Sequence, residues 1–163
     1  MGRIGKILVA MASTSYCQGI YNYAVTLAEA LAAEIVVASI INSRDVVAVR
    51  QVADMGYAVD GENYVAGVKD LRKQDIDAII RQSTFPRERV QVIIKVGNPV
   101  DELLKIVVRE AVDMVVMGTK GRTDLENMFT GAVADKMFRR SPAAIVSYRD
   151  EVQAEKLRTR IHP

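Results

Sequence analysis

Residues 113–146 read DMVVMGTKGRTDLENMFTGAVADKMFRRSPAAIV, and they decide how the rest of the chain is read. Met114, Val115, Val116 and Met117 form a short unbroken apolar run, the mark of a parallel strand buried on both faces. Gly118 follows at its end, then Gly121 and, after nine intervening residues, Gly131. Residues 132–139 have helical character, Ser141-Pro142 closes them, and a second strand begins at 143 and continues to 148. A strand, a glycine-punctuated loop and a helix start together suit an anion. Glycine lets the backbone approach a ligand, and the unpaired N–H groups of a helix's first turn favour negative charge.

The same grammar continues outward. Residues 7–11 (ILVAM) are wholly apolar, so they predict a first, central strand. Ser13, Thr14 and Ser15 place hydroxyls where a helix over 16–33 would be capped, with Tyr23, Leu27, Ala30 and Leu31 as its inward stripe. The second strand spans 35–41 and is apolar except for Ser39. A turn at 42–45 leads to a short helix marked by Val46, Val49 and Ala53. Asp60-Gly61 signals another turn, and a long helix follows over 62–84 with Val68, Leu71, Ile76, Ile79 and Ile80 inward. Pro86 ends it. The third strand covers 90–96, and Pro99 opens a helix reaching 111. Strands alternating with helices predict a parallel sheet with helices on both faces.

A chain of 163 residues, half of them hydrophobic, fits a single domain with one full core. The formal charge of +2 is spread evenly, which argues against a nucleic-acid or membrane-surface partner. The single cysteine, Cys17, forms no internal disulfide, and no apolar run has the length of a membrane span or the character of a signal peptide. A cytoplasmic location is the expectation.

The spacing Gly118-x2-Gly121-x9-Gly131, within Met-Gly-x-x-Gly-Arg after an apolar strand, resembles the nucleotide loop of the universal stress protein family. The resemblance runs over about residues 6–147, and it implies a five-stranded sheet of order 3-2-1-4-5. The ligand crevice of such a sheet lies outside the carboxyl ends of strands 1 and 4. It further implies an adenine nucleotide, ATP, with Ile40 near the base. Met117, Gly118, Lys120, Gly121 and Arg122 would form the strand-4 loop, with Gly131, Ala132 and Val133 at the phosphates. Two positions depart from the family pattern. Ala12 stands where an aspartate anchors ribose and metal, and Ala132 stands where a hydroxyl meets phosphate. A hydrogen bond to a charged group contributes about 1.5–3 kcal/mol, so binding is expected to be weak, with Ser13, Thr14 and Thr130 as substitute hydroxyls.

The departures equally suit a dimeric interaction module that has lost the nucleotide, and the glycines equally suit tight turns and close helix packing. Catalysis finds little support. The only histidine is His162, and Asp113, Asp124, Glu126 and Asp135 follow no two-acid pattern. One histidine and one cysteine do not make a zinc site. The last strand, 143–148, has an edge without a partner in the chain, and the resemblance implies homodimerisation there. Beyond a domain of residues 1–148, the tail 149–163 reads either as a short helix with Ala154, Leu157 and Ile161 on one face or as a frayed, solvated end.

Overall fold

The computed structural model describes residues 2–58, 60–119 and 132–162. The chain runs β1 (Lys6–Ala10), α1 (Cys17–Leu31), β2 (Glu34–Asn42), α2 (Ser43–Asp54), α3 (Gly61–Arg81), then a 3₁₀ turn (Arg87–Arg89). It continues with β3 (Val90–Gly97), α4 (Pro99–Arg109), β4 (Met114–Gly118), α5 (Ala132–Arg140), β5 (Ala144–Tyr148) and α6 (Glu151–Arg158). The strands form one sheet of order β3-β2-β1-β4-β5, with every neighbouring pair parallel. That is the predicted fold, α/β with order 3-2-1-4-5.

β1 lies between β2 and β4, with Ile7 opposite both Ile35 and Met114. Ile7, Leu8 and Val9 are wholly buried, so both sides of the strand have to be apolar. The sheet separates two cores. On one face Ile7, Val9, Ile35, Val37 and Val116 pack with α1 and α3 through Ile20, Ala24, Ile76 and Ile80. On the other, Leu8, Val36, Ala38, Val115 and Met117 pack with α4 and α5 through Leu103, Ile106, Val107 and Met137. Asp113 ties the lower edge together. Its Oδ2 accepts from the backbone N–H of Gly5 (2.8 Å) and Lys6 (3.0 Å), which holds β1 and β4 in register.

The caps differ from the sequence expectation in an instructive way. Tyr16, rather than Ser13, Thr14 or Ser15, occupies the cap of α1, without a side-chain hydrogen bond. Instead the carbonyl of Thr14 takes the Cys17 N–H in a turn (3.2 Å). Asn42 begins a helix rather than a turn, its side chain accepting from Arg44 N–H (3.0 Å), so α2 follows β2 with no loop. Asn98 does the same for α4, accepting from Val100 and Asp101, with Pro99 in the first turn as expected. α3 stops at Arg81, well short of Pro86, where Ser83 Oγ accepts the Phe85 N–H.

Two inward stripes need correction. α1 buries Ile20, Tyr21, Ala24, Val25 and Ala28, whereas Tyr23 and Ala30 are exposed and Leu27 and Leu31 only half-buried. Small alanines bring the helix close to the sheet, and apolar residues all round α1 left its periodicity ambiguous. In α3, Leu71 is 61% exposed, and its neighbour Arg72 is turned inward at 7%. The tail does form a helix, α6, capped by Asp150 accepting from Gln153 N–H (2.7 Å). It buries Gln153, while Leu157 and Ile161 face solvent, and Arg158 pairs with Glu151 and Glu155.

Candidate functional site

The sheet order reverses between β1 and β4, so the α1 side and the α5 side diverge there and leave a crevice at the strands' carboxyl ends. Met11 still pairs with the sheet through its N–H to the Ala38 carbonyl (2.9 Å), and the chain then leaves it. Ala12 is exposed. Ser13 follows at φ +50°, a left-handed conformation that costs a residue with a Cβ about 1–2 kcal/mol. Across the crevice Met117 is buried and Gly118 ends β4, opposite Tyr148 of β5. Ile40 is half-buried within β2, on the α4–α5 face with Met117 and Val133. Ala132 is the exposed first residue of α5, and Val133 packs inward behind it.

The fold thus brings Ala12, Ser13, Thr14, Met117, Gly118, Ala132 and Val133 to the carboxyl edge of the sheet, with Ile40 in its neighbour β2. Lys120, Gly121, Arg122 and Gly131 lie outside the described residues, as do Thr130, Asp124 and Glu126. Main-chain N–H groups of α5's first turn suit a phosphate, whereas Ala12 and Ala132 offer it no side-chain group. Asp135, also in that first turn, is engaged with Arg139 at 3.2 Å. Among the described residues no cluster of three or more His, Cys, Asp or Glu side chains could hold a metal ion.

A second feature was missed in the sequence. A cavity of about 350 Å³ opens between α1 and α3 at the same edge of the sheet, on the face opposite Ile40 and Met117. Met11, Ile76, Ala78 and Ile79 give it an apolar wall, and Ser13, Thr14 and Ser15 a rim of hydroxyls. Ser39, Arg72 and Asp75 line it as well. The buried Arg72 Nη1 donates to Ser39 Oγ at 2.7 Å. Cys17 sits in the same wall, its Sγ 3.8 Å from Thr14 Oγ1. The signals were available. Ser39 is the one polar residue in an apolar strand, and Arg72 falls midway between Val68 and Ile76 on the inward stripe of α3.

Residues 3–149 match the model of the universal stress protein family. Universal stress protein MJ0577 of Methanocaldococcus jannaschii is 34% identical over 64 residues, covering 38% of this chain and 40% of that protein. A universal stress protein of Methanothermobacter thermautotrophicus is 32% identical over 60 residues, covering 37% and 40%. The matched segment therefore spans about two fifths of either curated relative. The structure of MJ0577 superposes with a TM-score of 0.75 at 20% identity, covering 92% of this chain and 99% of that one. UspA of Lactobacillus plantarum gives 0.68 at 16%, covering 91% and 100%. A universal stress protein in complex with cAMP gives 0.61 at 16%, covering 91% and 98%. At these identities the structures speak to the fold. Among the described residues no helix is long and apolar enough to cross a membrane.

Proposed function

Because the chain belongs to the universal stress protein family, we propose that it is a regulatory protein of the cytoplasm that binds an adenine nucleotide, ATP, weakly between β1 and β4. The reading is carried by the reversal of strand order between those strands, with α5 following β4 into the sheet's carboxyl edge. A nucleotide there would rest its phosphates on the N–H groups around Ala132 and Val133 and its base near the β2 main chain at Ile40. A family relative of the same fold has been crystallised with cAMP, which supports the ligand class. Chromatography of the supernatant from denatured protein tests for carried nucleotide. In titration calorimetry Ala132→Ser is expected to tighten ATP binding by about tenfold, the lower end of a charge-assisted hydrogen bond. Equal affinities, or none in either protein, would favour the second reading, a nucleotide-free interaction module, for which Ala12 and Ala132 argue.

Both readings include a homodimer through β5. Ala144 is exposed, and among the described residues β5 pairs only with β4. Tyr148 folds onto α1, where Gly19 leaves room for its ring and Tyr23 lies at 5.7 Å. Ser147 does not face outward as a dimer probe should, because its hydroxyl is buried. Ala144→Lys is the better probe, since an edge lysine blocks strand pairing. Sedimentation should show a wild-type dimer and a variant monomer. A wild-type monomer at tens of micromolar would refute the assembly.

A further inference from the structure

We propose that the far end of α6 docks on a second copy of the chain, against an apolar patch at the amino edge of the sheet on the α1–α3 face. This rests on the β5 homodimer above and names what the tail does in it. α6 is anchored at its start and bare at its end. Asp150 caps it, Gln153 is buried and Ala154 half-buried. Leu157, one turn beyond Ala154, and Ile161, just past the helix, fall on the same side at helical spacing. They are nevertheless 40% and 69% exposed. One side of α6 therefore begins on its own protomer and runs on without cover among the described residues.

Topology places that end in the dimer. Two β5 strands related by a two-fold axis pair antiparallel, so an axis at Val146 sets Tyr148 level with the partner's Ala144. Ala144 is itself level with Met114 of β4. The partner's Met114 thus lies two strand spacings, about 10 Å, from this β5. α6 starts three residues after Tyr148 and its 8 residues span about 12 Å, enough to cross that gap. Met114 is not alone at the amino edge. Ile4, before β1, and Leu31, at the end of α1, stand there too, all three half-buried against the α1–α3 core. Charge favours the same docking. α1 has no basic residue in its last turn, so its carbonyl pole faces the edge uncompensated by its own helix, beside the exposed Glu29 and Glu34. The end of α6 brings the exposed Lys156 and Arg160. Arg3 and Arg89 act against this attraction, and Arg89 donates to the Ala33 carbonyl at 2.6 Å. Apolar contact therefore supplies the affinity, and charge the orientation.

Sedimentation of the whole chain reads the dimer constant. Leu157→Glu combined with Ile161→Glu should weaken the dimer by about tenfold or more, since two apolar side chains lose their cover. Both positions are exposed, and circular dichroism checks the fold. Position is read by disulfide cross-linking between mixed chains in a Cys17→Ser background, with oxidised glutathione as the oxidant. Glu29→Cys in one chain and Arg160→Cys in the other should give a cross-linked pair containing one of each. The exposed Lys69→Cys of α3, in place of Glu29→Cys, should not. A double variant that dimerises like the wild type, or a cross-link that is absent at Glu29 or equal at Lys69, would overturn the docking. The dimer itself survives that outcome where the wild type is dimeric and Ala144→Lys is monomeric. A monomeric wild type overturns both.

Discussion

The two faces of the sheet are built from the same strands but to different standards. On the α4–α5 face Leu8, Val36, Val115, Leu103, Ile106, Val107 and Met137 form an apolar core, and Ser147, on the same side of β5 as Ile145, adds one buried hydroxyl. On the α1–α3 face the core is equally apolar near β1's start, yet toward the carboxyl edge it admits Ser39, Arg72 and a cavity. It also buries Tyr21 completely, with no hydrogen-bond partner for the hydroxyl among the described residues. Unpaired and charged groups are costly inside a protein. A face that carries them has given up stability where a fully apolar core would have kept it.

That contrast is most readily broken by truncation. Ile106→Ala, in the dry face, should cost about 2–5 kcal/mol, and Ile76→Ala, beside an existing cavity, should cost less because fewer contacts are lost. Urea melts of both variants measure the difference, and equal costs would erase the distinction between the faces. Ser39→Ala comes next. It removes a buried acceptor from a guanidinium, so about 1.5–3 kcal/mol should be lost, read in the same melts. A neutral result would mean that Arg72 is held by its other surroundings.

The smallest effect has the opposite sign. Tyr21→Phe deletes the buried, unpartnered hydroxyl and should stabilise the protein by about 1 kcal/mol at neutral pH. The gap should widen in alkali. Burial raises the Tyr21 pKa, with Arg87 pulling weakly the other way. The unfolded chain releases the phenolic proton near pH 10 while the folded chain retains it, so rising pH favours unfolding from there upward. The phenylalanine variant lacks that proton and should lose less stability between neutral pH and pH values above about 10.

The sheet was legible in the sequence because its central strands are buried on both sides and must be apolar without interruption. The runs around Ile7–Leu8–Val9, Val36–Val37 and Val115–Val116 have no other economical reading. The glycine spacing after β4 likewise carries the family's signature in the sequence itself. Helix ends were partly legible too, in Pro99, whereas the capping roles of Asn42 and Asn98 were not, because turns and caps draw on the same residues.

Which side of a helix meets the sheet was a different matter. α1 carries Tyr23, Leu27 and Leu31 on one side and Ile20, Tyr21, Val25 and its small alanines on another, and only the sheet's surface selects between them. Arg72 turns inward, and Leu71 outward, because a serine 33 residues earlier waits beneath α3. Local periodicity records what a residue's neighbours within a turn or two require. A cavity assembled from the end of β1, the start of α1, the middle of β2 and the flank of α3 exists only once the strands have been paired, and so it was the tertiary structure that decided it.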